Sequence, residues 1–291
     1  MAKTKRAKPR PAKRGPAKKA APKKRSRSSP IKITLRIAAM RGGVALAKEL
    51  LAQGADPTAR ESGFTPLHVA AMEAQMPGNH LGVARVLLDA GADVDARSHG
   101  VGFTPLFFAV GVDAVDMVDL LLERGADPRA TTATGETPLH EAAREAEGTG
   151  TIARLLAAGV DPNARADDGS IPILRPAEQG HDAKTRALLD AGSDPALVDE
   201  HGYGLLHAAC NGSLVEIVRE MLSRGVDIQQ RTLDGMTPLH FAVSSIGIRD
   251  DAPATVRLLI EHGADRSAKA NDGRTPAELA FNPAELASVL P

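Results

Sequence analysis

Apolar and polar positions along this chain alternate in a recurring unit. A stretch such as Leu67, Ala70 and Ala71 places small apolar residues on one helical face, and Val83, Val86, Leu87 and Leu88 then recur at i, i+3, i+4. Between one such pair and the next the chain turns polar, rich in Asp and Gly. The pattern predicts a short helix, a turn, a second helix, and then an extended segment with a tight turn.

Two motifs keep that unit in phase. Thr65-Pro66-Leu67-His68, Thr104-Pro105-Leu106-Phe107, Thr137-Pro138-Leu139-His140 and Thr237-Pro238-Leu239-His240 are near-copies, with weaker copies at Ile171, Gly204 and Thr275. Their starts are separated by 39, 33, 34, 33, 33 and 38 residues. A second motif, Gly followed by a small residue and Asp, recurs at Gly54, Gly91, Gly125, Gly159, Gly192, Gly225 and Gly263. Thr caps a helix and Pro fits its first position, where a missing N–H leaves nothing unpaired. The Gly ends the second helix in a left-handed conformation.

Helix, turn, helix and β-turn at a 33-residue period resemble the ankyrin repeat, over residues ~31–291. The resemblance implies an all-α repeat solenoid of about eight helix-turn-helix units joined by β-hairpins. The units start near Ile33, Thr65, Thr104, Thr137, Ile171, Gly204, Thr237 and Thr275, the first and last serving as caps. Units two and seven carry about five extra residues, around Gln75–His80 and Ile246–Asp251, as family decoration or as partner contacts. The fifth unit lacks the Thr and the His, and Pro176 falls inside its first helix. A proline there removes a backbone hydrogen bond. This predicts a soft joint over residues 170–181 and a gain in stability for Pro176→Ala.

Composition changes the picture in two ways. Six Phe, one Tyr and no Trp leave a core of Leu, Val, Ile and Ala, as close-packed helices require. The chain's zero net charge conceals a segregation: residues 1–28 hold 13 Lys and Arg and no acid, leaving 23 basic against 36 acidic residues in 29–291. Residues 1–30 form a Lys/Arg/Ala/Pro-rich tail with too little apolar bulk to order itself. No apolar core of a secretory signal follows it, and Pro9, Pro11, Pro16 and Pro22 would break the helix of a mitochondrial presequence. No run of ~18 apolar residues marks a membrane span.

Candidate chemistry is sparse. His140-Glu141 lacks the second His of a zinc-protease helix, and neither a phosphate-binding Gly-rich loop nor a Gly-x-Ser-x-Gly elbow occurs. The one cysteine, Cys210, excludes an intramolecular disulfide and reads as a small core residue. Histidines 68, 140, 207 and 240 share the fourth motif position; the resemblance implies that each ties a helix start to the neighbouring hairpin. No cofactor, metal or catalytic residue is expected, and the chain reads as non-enzymatic.

The resemblance further implies a protein partner on the concave face of hairpin tips and first helices, held by residues before the Thr and after the Ala-Ala pair. These are Phe64, Phe103, Glu136, Tyr203 and Met236 at the tips. On the helices they are Met72, Glu73, Arg144, Glu145, Glu178, Gln179, Asn211, Ser244 and Ser245. The tip aromatics serve either as binding anchors or as packing for the adjacent hairpin. The acidic body suits a partner with a basic or mixed-charge apolar surface. The tail, through Lys13, Arg14, Lys18, Lys19, Lys23, Lys24 and Arg25, suits nucleic-acid phosphates, nuclear sorting in a eukaryote, or masking of the acidic array. A soluble monomeric adapter in the cytoplasm, or in a eukaryotic nucleus, is the resulting expectation, with a nucleic-acid-associated adapter as its alternative.

Overall fold

A computed structural model describes residues 34–144 and 148–289. The basic tail, Ile33 and Glu145 lie outside the described residues. Leu35–Met40 (α1) and Val44–Ala52 (α2) form the first helix pair; Pro66–Met72 (α3) and His80–Asp89 (α4) the second; Pro105–Gly111 (α5) and Val115–Glu123 (α6) the third. Pro138–Arg144 (α7) and Gly150–Ala157 (α8) follow, then Leu174–Gln179 (α9) with Asp182–Asp190 (α10), and Leu205–Asn211 (α11) with Val215–Ser223 (α12). The last are Pro238–Ser244 (α13) with Ala252–Glu261 (α14), and a 3-10 turn, Pro276–Leu279, with Pro283–Val289 (α15). The odd-numbered helices up to α13 stack into one layer that ends on the 3-10 turn, and the others stack into a second.

Small residues make this stacking close. Ala38, Ala39, Ala70, Ala71, Ala109, Ala142, Ala143, Ala208, Ala209 and Ala242 are buried between first helices, and Val83, Leu87, Leu121, Leu155, Leu188, Val218 and Leu259 fill the space behind them. The result is one continuous core. The glycine after each second helix takes φ of 79–95° at Gly54, Gly91, Gly125, Gly159, Gly192, Gly225 and Gly263, a region where a side chain is strained. The Asp two residues on turns its carboxylate back to the amide two positions ahead. Asp56, Asp93, Asp127, Asp161, Asp194, Asp227 and Asp265 do so at 2.8–3.1 Å. Much of the acidic excess is therefore turn chemistry.

The connections differ from the expected β-hairpins. Each turn closes on a single backbone bond or a narrow pair, such as Thr132 N–H to Glu136 O at 2.9 Å. Only two isolated antiparallel bridges form among the described residues, Glu61 with Phe64 and Val198 with Gly204. Segments this short leave no second pair of residues to extend a ladder. Successive tips join instead through lone amides, as in His99 N–H to Gly63 O, Asp167 N–H to Thr134 O and Leu233 N–H to His201 O.

Unit five also departs from expectation. Without Thr at 171 the chain makes a turn, and α9 begins at Leu174, two residues later than its counterparts. Pro176 thereby falls in the first turn, whose amides have no intrahelical acceptor, and it removes no hydrogen bond. The helix ends at Gly180 (φ 80°), where Arg249 from the insertion of unit seven donates to Gln179 O at 3.0 Å and Glu178 O at 3.1 Å. A Cβ on Gly180 would lie 2.7 Å from Arg249 Nη1, so this glycine makes room for the guanidinium. The insertion of unit two is likewise tied down, with Gln75 donating to Asp113 O at 3.0 Å and His80 bonding Ala39 O at 2.9 Å. Both insertions hold other units in place.

Candidate functional site

Each of the four motif histidines is used at both ring nitrogens. His68 Nδ1 accepts from Thr65 N–H at 3.1 Å, His140 from Thr137 at 3.1 Å, His207 from Gly204 at 3.2 Å and His240 from Thr237 at 3.0 Å. An Nδ1 that accepts leaves the proton on Nε2. Nε2 donates outward to Phe103 O, Ser170 O, Gln230 O and Arg274 O at 3.1–3.3 Å. In three of the four cases this carbonyl is the residue before the next unit's motif. Burial holds all four below the ordinary imidazole range, His207 down to about 4. The rings are neutral struts with no lone pair free for a metal. Cys210 is fully buried and its thiol pKa is pushed up by that burial.

A second set of struts was not expected. Arg60, Arg97, Arg165 and Arg231, before the tips of units two, three, five and seven, donate to carbonyls of the next tip: Arg97 O, Thr131 O at 2.7 Å, Val198 O at 2.8 Å and Lys269 O at 2.8 Å. Their fixed place in the repeat was the signal that could have identified them.

The tip aromatics pack onto first helices. Phe103 stacks on Phe107 at 5.1 Å, Phe64 meets Phe108 edge-on at 5.7 Å, and Tyr203 stacks on His207 at 5.7 Å and meets Phe241 edge-on at 5.2 Å. All three stay half-exposed. Burial pushes the Tyr203 hydroxyl pKa well up, with the Glu178 carboxylate adding to it.

The candidate site is a groove of about 530 Å3 on the face made by the tips and first helices of units four to seven. It lies across the junction of α7 and α9, where α9 packs more sparsely than it does on α11. Ile171, Leu174, Tyr203, Met236 and Phe241 supply its apolar lining, and five carboxylates line it as well. Two of these are matched within the groove: Arg144 pairs with Glu136, and also with Glu141 at 2.7 Å, and Arg175 pairs with Glu178 at 3.0 Å. Asp168, Asp199 and Asp234 have no ion-pair partner among the described residues. Hydrogen bonds from Ser170 hold Asp168 below the usual carboxylate range.

Of the residues singled out from the sequence, the groove gathers Glu136, Arg144, Glu178, Tyr203 and Met236. Phe64, Met72, Glu73 and Phe103 belong to units two and three and do not line it. Gln179 and Asn211 end α9 and α11, with their carbonyls taken by Arg249 and Ser245. Ser244 turns its hydroxyl to Phe241 O at 2.8 Å. Ser245 is buried, and its hydroxyl donates to Asn211 O at 2.9 Å at the end of α11. The tip aspartates were missed because in sequence they read only as turn formers.

Among the described residues no helix is long and apolar enough to cross a membrane, and no group of three His, Cys, Asp or Glu converges on one point. The family of ankyrin repeats (3 copies) matches residues 24–98, 97–166, 173–270 and 205–290. Ankyrin repeat and SOCS box protein 16 of Mus musculus is 31% identical over 269 residues, covering 79% of this chain and 52% of the relative. Palmitoyltransferase AKR1 of Lachancea kluyveri is 28% identical over 216 residues, 71% of this chain and 28% of the relative. Protein phosphatase 1 regulatory subunit 27 of Homo sapiens is 39% identical over 84 residues, 29% of this chain and 51% of the relative. The chain thus spans about half the length, or less, of these curated relatives.

Proposed function

This chain belongs to the ankyrin-repeat family, and from that premise we propose that it is a non-enzymatic adapter whose concave tip and first-helix face holds a partner protein. Ankyrin repeats generally mediate protein–protein interaction, and a relative named as a regulatory subunit shares part of the array. The observation that carries the reading is the groove of units four to seven. It is a mixed apolar and acidic trough with half-buried Tyr203 and Met236 in its lining, aromatic and sulfur-bearing side chains of the kind found at hot spots. The transferase named among the relatives aligns over only 28% of its length, so its title is not carried to this chain. The neutral, doubly bonded histidines and the buried Cys210 offer no nucleophile or general base, which supports the non-enzymatic reading. The adapter works as a monomer in the cytoplasm or, in a eukaryote, the nucleus.

Met236→Arg with Asp234→Lys makes the groove's apolar and acidic lining basic at two surface positions. We expect loss of partner capture with an unchanged melting curve, while Glu216→Arg on α12, outside the groove, leaves capture intact. Capture that survives the groove pair would move the partner to another face.

The +13 tail supports a second activity, phosphate contact with nucleic acid through Lys13, Arg14, Lys18, Lys19, Lys23, Lys24 and Arg25. Duplex DNA should then bind the full chain with a steep salt dependence and lose affinity when residues 1–28 are removed. Equal binding by both proteins would end that reading.

A further inference from the structure

We infer that the groove is the mouth of a joint. Units one to four and units five to seven are two stiff bodies that pivot where α7 meets α9, and a bound partner is gripped between them. The gripping rests on the reading of this face as a protein-binding surface; the joint itself rests on packing.

The junction of units four and five is thin at every level. Helices α7 and α9 pack more sparsely than any other neighbouring pair of first helices. In the second layer, Arg124 pairs with Asp89, Arg154 with Asp119 and Arg186 with Glu220, which links units two to four and then five to six. Among the described residues no ion pair joins α8 to α10. The arginine strut between tips is missing too, because Thr131 stands where Arg97 and Arg165 stand in units three and five. Lys184 takes the place, eight residues before the helix-ending Gly, that Val83, Met117 and Ile217 fill with apolar bulk.

Hydrogen bonds do cross this junction: His140 Nε2 to Ser170 O at 3.2 Å, Asp167 N–H to Thr134 O at 3.0 Å, and Lys184 to Ala142 O at 3.2 Å. A few such bonds tolerate a rotation that interlocked side chains forbid.

The groove walls divide along the same line. Glu136, His140 and Arg144 line it from unit four, and Leu174, Tyr203 and Met236 from units five to seven. Each groove arginine pairs on its own side, Arg144 with Glu136 and Glu141, Arg175 with Glu178, so neither pairing staples the walls together. The second body is stiff because α9 packs closely on α11 and α11 on α13, and Arg249 reaches from unit seven to the end of α9. A partner touching both walls supplies the ties that the junction lacks. The linkage is mutual: whatever holds the joint in its closed form also tightens the partner.

Dipolar EPR on the full chain tests the joint with no partner present. Asp116→Cys and Glu216→Cys carry spin labels from unit three to unit six, straddling the junction; Lys48→Cys and Ala153→Cys carry them from unit one to unit four, inside the first body. All four positions are exposed, and the buried Cys210 takes no label. The straddling pair is expected to give a distance distribution about twice as wide as the internal pair. Thr131→Arg, which supplies the missing strut, should narrow it to the internal width. Equal widths in the unaltered array overturn the inference. So does a straddling width that Thr131→Arg leaves in place in a chain with a normal melting curve. Either failure leaves the protein-binding reading standing, and that reading is tested separately by capture with Met236→Arg and Asp234→Lys.

Discussion

A buried imidazole that accepts at Nδ1 and donates at Nε2 has no place for a second proton. Protonating His207 would set an N–H against the amide of Gly204, in a site whose burial already holds its pKa to about 4. The sign follows from which state binds the proton. Between about pH 6.5 and 4 the unfolded chain takes up a proton that the folded chain refuses, so the strut's contribution is intact above 6.5. It falls away as pH drops towards 4. The limiting loss is on the order of 3 kcal/mol for this residue, and His68, His140 and His240 act in the same direction. Urea midpoints at pH 7.5 and 5 should show the array weakened at the lower pH, and His207→Gln should flatten part of that dependence. An unchanged slope would assign the acid sensitivity to other groups. The strut was legible in sequence because four histidines share one motif position. The arginine struts were not, because a surface Arg before a turn carries no local sign of where its fork reaches.

The helices and their ends were legible because the code for them is local. Thr-Pro starts, Gly-x-Asp ends and Ala-rich faces each act within one turn of helix, and the structure places them where the motif spacing put them. Unit five shows where local reading fails. Aligning Pro176 on the other units placed it inside a helix, but losing the Thr also moved the helix start to Leu174. A boundary set by a missing cap cannot be read from the residues that remain. The expectation for Pro176→Ala therefore inverts: with no hydrogen bond to regain and more unfolded-state freedom added, the change should leave stability level or lower it by up to about 1 kcal/mol. A rise in the thermal midpoint of the variant would restore the mid-helix reading. The groove lies across the same unit, and no single motif encodes it.

Across the whole array the junctions are unequal. The second-layer helices α10 and α12 pack sparsely, and the Arg186–Glu220 pair spans that gap, with Glu220 held below its usual pKa chiefly by the Arg186 hydrogen bond. Lys184, one of four lysines in residues 29–291, is buried and donates to Ala142 O at 3.2 Å and Ala143 O at 3.4 Å in the last turn of α7. Within the expected soft joint, Ile171, Ile173, Leu174 and Ala177 are buried in the core and α9 packs closely on α11, so only its α7 side and the α10–α12 junction lean on long side chains. Such a partition lay beyond the sequence, since it depends on residues 34–71 positions apart meeting in space.

The reach of Arg249 alters how the array comes apart. In an ordinary stack each unit answers only to its two neighbours, so loss can spread like a zip, one tooth at a time. Arg249 skips a unit: it sits in unit seven and holds the end of α9 in unit five. Once unit seven opens, unit five loses two charged hydrogen bonds, about 1.5–3 kcal/mol each at most, while unit six still stands between them. Units five to seven should then leave as one block. Arg249→Ala should split that block, seen as faster amide exchange at residues 177–181 with unit two unaffected. Exchange unchanged there would mean that each unit still answers to its neighbours alone.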